Sequence, residues 1–340
     1  MMALMKKALS ITPQKNLTLA LLILILGAIS FPFGKVYSSE IDSFHGRYKD
    51  IDDSLDILNE KVNELLQRAV KQANLTIYRC NERFFYLNLR RYFWNHILGE
   101  FPDWVIKTDK IERIEVPVEE SIYRDFDWRA PIVGFYSQRI KDASGAVLRV
   151  DGHLVGTDKF EHFFGSGFRY FNTFYRRGGT LEDVLEIGWL AETGLMGAWT
   201  TGVMAYGDLV ANFQGMRFWN HLLAKNEDVF GSDEKYNPGP YVKCKNFSWK
   251  IVGEFDWRNY VDHAWDEGIN CSKFRTEDMT NSVLNILDEL EAETGKRHHC
   301  PVSPEKHREV LKKYAPFAPW LVNPGGHQTV TDERDWAVIL

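Results

Sequence analysis

The chain has 340 residues, 44% hydrophobic and 14% aromatic, with 41 basic and 47 acidic side chains and a formal net charge of −6. That composition can bury a large core and excludes a disordered or collagen-like chain. No segment concentrates lysine and arginine as binding to a phosphate backbone demands, which argues against nucleic acid as a partner.

At the N-terminus Lys6, Lys7 and Lys15 precede the apolar run from Leu17 to Phe33, and Val36, Ser38 and Ser39 follow. A cationic, then apolar, then cleavable order predicts a secretory signal over residues 1–38. The run falls short of the ~20 apolar residues of a comfortable span, yet it also suits an uncleaved inner-membrane anchor at residues 17–33. Either way the bulk of the chain is expected in the periplasm. Without residues 1–38 the chain keeps 37 basic against 47 acidic residues, a net charge of −10. Cys80, Cys244, Cys271 and Cys300 lack paired C-x-x-C spacing, so two disulfides are expected rather than zinc, with Cys244–Cys271 favoured as the pair nearest in sequence.

Residues 39–110 read as helices: Ile51, Leu55, Leu58, Val62, Leu65 and Ala69 recur every three or four positions, and "NERFFYLNLRRYFWNHILGEF" continues in that style. Too few heptads are present for a free coiled coil, so packing onto the domain is expected. Residues 111–155 form a small β element, with an alternating "IERIEV", a β-prone "APIVGFYSQ" and a hairpin turning at Asp151-Gly152. Residues 156–225 return to helix, rich in glycine at Gly188, Gly194, Gly197, Gly202 and Gly207, where helices could approach closely. Residues 226–340 open with a turn-rich loop to about 250, carry a helix over Ser282 to Glu293, and end in an irregular tail. The fold class is mainly α, a helical bundle-like core with a small β-hairpin element.

The chemistry concentrates in "GTDKFEHFFGSGFRYF", residues 156–171. Asp158 and His162 stand four apart, which on a helix places both on one face, where they could share a divalent metal or a proton. A second explanation is structural: Asp158 with Glu161 three residues on resembles a capping box, worth about 1 kcal/mol and needing no function. Downstream, Glu192 and the pair Asp208 and Asn212 lie on apolar, glycine-packed helices, where unsatisfied polar groups are costly. They form either a polar network that fixes helix register or the lining of a pocket, with His162 as a partner. In "YVDHAWDEGINCSKF", Asp262, His263, Asp266 and Glu267 read as a solvated amphipathic helix, and His298 and His299 beside Cys300 lack a second ligand pair for a metal.

The ordered pair Asp158-Lys159-x-x-His162 and Gly207-Asp208-Leu209-x-x-Asn212-x-x-Gly215, with Glu192 between, resembles the YfiM-like predicted periplasmic lipoproteins and, more distantly, is similar to VanZ-like membrane proteins. The likeness covers roughly 60 residues and implies a helical module of the cell envelope whose Asp158, His162, Glu192, Asp208 and Asn212 converge. It implies no reaction and no cofactor. It also departs from a lipoprotein, since no cysteine follows the apolar run before Cys80. Three functions are therefore expected in competition: binding of a polar, glycan or lipid-linked envelope ligand at a membrane surface; a hydrolase or transferase with His162 as acid or base and Asp158, Glu192 and Asp208 as orienting or metal-binding carboxylates; and a purely structural protein.

Overall fold

The computed structural model describes residues 40–95, 98–126, 145–194, 197–199 and 201–330. The apolar run 17–33 and the β-prone stretch 130–138 lie outside them. Among the described residues no helix is long and apolar enough to cross a membrane.

Helix α1, Leu55–Asn74, buries Leu58, Val62, Leu65, Leu66, Ala69, Val70 and Ala73 along one stripe, so the predicted seam packs onto the domain. Ile51 is buried in the chain before it. Two short helices follow, α2 at Glu82–Leu89, capped by the Asn81 side chain on the Phe84 amide, and α3 at Glu100–Lys107. The β element is a three-stranded antiparallel sheet of β1 (Ile114–Glu115), β2 (Ala146–Val150) and β3 (His153–Gly156). Its hairpin turns at Asp151 and Gly152, with φ of 51° and 77°. Two consecutive left-handed residues match the twist of a two-residue hairpin, as the Asp-Gly pair foretold.

From β3 the chain enters α4, residues 159–176, interrupted by two π-helical turns, His162–Ser166 and Asn172–Arg176. Next come α5 (Leu181–Thr193), closed by a capping box between Thr180 and Asp183, then β4 (Val203–Met204) and α6 (Tyr206–His221). Every residue of α6 is buried, so it is the central helix. Phe160, Phe163 and Phe164 of α4 pack on Phe101, Phe218, Trp257 and Trp265. The largest core cluster runs from Leu58 to Val322 and draws on each expected segment between 39 and 340, with two smaller clusters besides.

The C-terminal part holds more regular structure than the turn-rich sequence predicted. Within 226–250 lie β5 (Val242–Lys245) and the start of β6 (Ser248–Ile251), an antiparallel hairpin. After β7 (Lys273–Phe274), α7 spans Glu277–Thr294 and ends on Gly295 in the left-handed conformation. The tail expected to be irregular contains α8 (Pro304–Lys313), α9 (Ala318–Leu321) and β8 (Gln328–Thr329), with Ser303 capping α8 and Pro304 in its first turn. Strands β4, β7 and β8 form a further small sheet. Among the described residues the molecule is thus mainly helical with three small sheets.

The disulfides join Cys80 to Cys244 and Cys271 to Cys300. The expected Cys244–Cys271 pair is not formed. Sequence proximity misleads because Cys244 sits on β5, beside the start of α2, whereas Cys271 lies buried against the Cys300 turn.

One buried histidine sets an acid limit on stability. His327 Nδ1 donates to the Ser272 carbonyl at 2.9 Å, its other nitrogen has no partner, and its ring packs on Phe44 and Phe274. Burial depresses its pKa from 6.5 to about 4. The unfolded chain therefore binds the extra proton first, and stability falls as pH drops from 6.5 toward 4, by about 3 kcal/mol in all. Urea unfolding at pH 7 and 4.5 is expected to show the loss shrinking in His327→Gln; an unchanged loss overturns this assignment.

Candidate functional site

Asp158 does not cap its helix. Its carbonyl oxygen accepts from the Glu161 and His162 amides at 2.9 and 3.1 Å, but its side chain makes no capping bond and its backbone is already helical. The carboxylate turns to the ammonium of Lys159 instead, at 2.7 Å. The capping-box expectation therefore fails, because a stronger charged partner stands one residue away.

Lys159 is the centre of the site. Its side chain is 0% exposed, and its Nζ lies 2.6 Å from Asp208 Oδ1 and also pairs with Glu267. Burial alone depresses an ammonium pKa, but Asp158, Asp208 and Glu267 together outweigh it and hold Lys159 well above its ordinary value. Gly207 makes room for this lysine: a Cβ there would stand 2.9 Å from Lys159 Cε.

On the next turn, His162 opens the first π-helical turn of α4, a widening that recurs at functional positions. Its Nδ1 lies 3.1 Å from Asn212 Oδ1 and its Nε2 lies 3.2 Å from Asp208 Oδ2. Burial raises the pKa of the Tyr170 hydroxyl and Asn212 opposes that rise, in a contact looser than a full hydrogen bond. With the Asn212 amide oxygen at Nδ1, that nitrogen is the donor, and in a neutral ring the Nε2 lone pair points at the Asp208 carboxylate. That contact is repulsive unless a proton or a cation lies between.

The two halves of the site meet because α4 and α6 cross at glycine. A Cβ on Gly167 would come within 2.6 Å of Gly215 Cα, and one on Gly215 would collide with the Phe163 carbonyl. This crossing is where the two helix backbones touch, whereas Gly194 and Gly197 lie against backbone carbonyls at the end of α5 and in the turn after it. Gly188 has a different use, leaving space for the Tyr170 hydroxyl. The Asp208 pKa is pushed up by burial, but His162 and Lys159 outweigh that and hold it low.

All five expected residues, Asp158, His162, Glu192, Asp208 and Asn212, fall in this neighbourhood. Three others were missed. Glu267, from the stretch expected to be a solvated amphipathic helix, is 2% exposed and accepts from Ser272 Oγ at 3.2 Å as well as from Lys159. No α-helix forms there: His263–Trp265 is a single 3-10 turn capped by Asp262, with Trp265 fully buried. Lys159 was legible only as a motif letter, and Glu40, whose charge acts on Asp208 and Glu267, had no signal at all. His298 bonds to the Thr294 hydroxyl and His299 to the Asp288 carboxylate.

Glu40, Asp158, Glu192, Asp208 and Glu267 thus bring five carboxylates to Lys159 and His162. Glu192 is 3% exposed, no described residue hydrogen-bonds its carboxylate, and burial with the charges of Asp208 and Glu40 raises its pKa well above the ordinary range. Burial likewise raises Glu267 and Asp158, against the pull of Lys159. One oxygen or nitrogen from each of Asp158, His162 and Asp208 lie within 4.8 Å of one another, a set that can hold a metal ion. A second polar network on α6 makes the contrast: Arg217, Asp228 and His221 are buried and paired, with one charge of each sign once burial keeps His221 neutral. That network is a lock; in the Lys159 cluster the carboxyl groups outnumber the cations. Comparison with protein-family models, curated proteins and solved structures finds no match.

Proposed function

We propose that this is an exported protein of the cell envelope whose bundle-like helical core binds a polar, glycan or lipid-linked ligand through a divalent cation held by Asp158, His162 and Asp208. The excess of buried carboxylate over cation carries the reading, because protons or a metal must make up the difference. Several features favour the metal. His162 Nε2 and Asp208 Oδ2 are spaced as neighbouring ligands of one ion, and Asn212 orients the imidazole through its other nitrogen. The side chains of Asp158, His162 and Asp208 keep 11–16% exposure, which leaves a route from solvent. The cationic start, two disulfides and likeness to the YfiM-like pattern support the periplasm as the address.

A hydrolase or transferase is the second reading, favoured by one observation: Glu192 is buried, lacks a described hydrogen-bond partner and acts electrostatically on the same carboxylates. Asp158, His162 and Asp208 would hold the ion, which would supply Lewis acidity for hydrolysis, and Glu192 would be the neighbouring carboxyl group to serve as acid or base.

Protein purified without chelator is expected to carry about one divalent ion per chain by elemental analysis. Asp158→Asn and His162→Gln are expected to lose it while melting close to the metal-free parent. Metal-free protein that takes up neither zinc nor manganese would sink the cation reading and leave a proton-filled lock.

A further inference from the structure

A second cluster, on the far end of β3 from Asp158, has the opposite sign. Arg47, Arg149, His153, His263, Ser303 and Lys306 line a cavity of about 260 Å³ in a chain whose formal charge is −6. We infer that this cavity is an oxyanion site that takes the terminal phosphate of a phosphomonoester.

Arg47 is already spoken for: 6% exposed, it pairs with Asp266 Oδ2 at 3.1 Å and donates to the Ser43 carbonyl. That leaves two cations without a buried counter-charge. Arg149 has a buried Nε with no partner, a long 3.4 Å bond from Nη2 to the Lys49 carbonyl, and a carboxylate, Asp50, 3.7 Å away on a fully exposed side chain. The Lys306 ammonium has no ion-pair partner among the described residues. A guanidinium edge with a free N–H beside an ammonium is the donor arrangement that phosphate oxygens satisfy.

The remaining walls supply neutral donors. His153 and His263 meet Nδ1 to Nδ1 at 2.9 Å, so only one of those nitrogens carries a proton, and the ring that accepts must carry its own proton on Nε2, free to donate. Ser303 accepts from the Lys306 amide as the cap of α8, which keeps its hydroxyl hydrogen for another acceptor. The positive end of the ten-residue α8 reaches the same cavity through Ser303 and Lys306. Leu154, Ile269 and Val302 give an apolar wall, and the volume exceeds that of a phosphate ion alone, so a small organic remainder fits beside the anion. Asp266 lines this cavity while its neighbour Glu267 serves Lys159, so one loop contributes to both sites.

The test is calorimetric titration of the full chain with inorganic phosphate and with glycerol 3-phosphate. Saturable one-to-one binding with Kd below about 1 mM is expected for the ester. Lys306→Gln, at an exposed position that leaves the fold intact, and Arg149→Gln are each expected to weaken it about tenfold or more, with Lys306→Arg retaining most of the affinity. Sedimentation with phosphatidylcholine vesicles carrying phosphatidic acid, but not with those carrying phosphatidylserine, identifies a lipid headgroup as the source; binding of the soluble ester alone identifies a free metabolite. No saturable heat up to about 10 mM, or equal binding by Lys306→Gln, overturns the site whatever the metal analysis shows.

Discussion

Lys159→Met is expected to cost about 3–5 kcal/mol and to lower Tm by roughly 10 °C. Methionine keeps the length of the stem, so the packing inside the core is largely preserved and the loss reports charge. Asp158 and Asp208 lie 2.7 and 2.6 Å from the ammonium, and Glu267 also contacts it. With Lys159 gone, three largely buried carboxylates face one another without their shared counter-charge. Removing one of them as well should restore part of the stability, so Lys159→Met with Glu267→Gln is expected to be more stable than Lys159→Met alone. The sign of that coupling is the decisive measurement in thermal unfolding. If Lys159→Met melts within about 1 °C of the parent, the carboxylates do not depend on this lysine and the description of the centre is wrong.

Gly215→Ala is expected to be more damaging than its single methyl group suggests. The added carbon meets the Phe163 carbonyl oxygen, carbon and Cα, all of them backbone. Side chains can rotate away from an overpacked methyl at about 1–3 kcal/mol; a crossing helix backbone must translate instead. Moving α4 away from α6 separates His162 on one helix from Asp208 and Asn212 on the other, currently 3.2 and 3.1 Å apart. The expected result is poor soluble yield, or folded protein with Tm lowered by roughly 10 °C that no longer retains a divalent ion. Gly178→Ala provides the comparison: no atom lies within 4 Å of its added carbon, so any cost there comes from its left-handed φ of 72° and not from crowding. Equal metal content in Gly215→Ala and the parent would show that the crossing does not position the site.

Local chemistry sufficed for the parts that depend on neighbours in sequence. The stripe of α1 was visible because apolar residues at three- and four-residue spacing fall on one helix face, and the hairpin at Asp151-Gly152 because few residue pairs tolerate two positive φ angles. The five residues proposed for the site were visible because carboxylates, imidazole and amide on apolar helices must find partners, and two four-residue spacings put them on facing turns. Tertiary structure alone decided the rest. Whether Asp158 caps a helix or pairs with Lys159 depends on Asp208 and Glu267 arriving from elsewhere to keep that lysine buried and charged. Cys80 finds Cys244 across 164 residues, and Arg149 meets Lys306 at a cavity, through chain paths that no local spacing encodes. The sequence determined which groups could not be left alone in the interior; the packing of α4 on α6 and the loop through Glu267 determined which of them would meet, because electrostatic partners are chosen by distance in space.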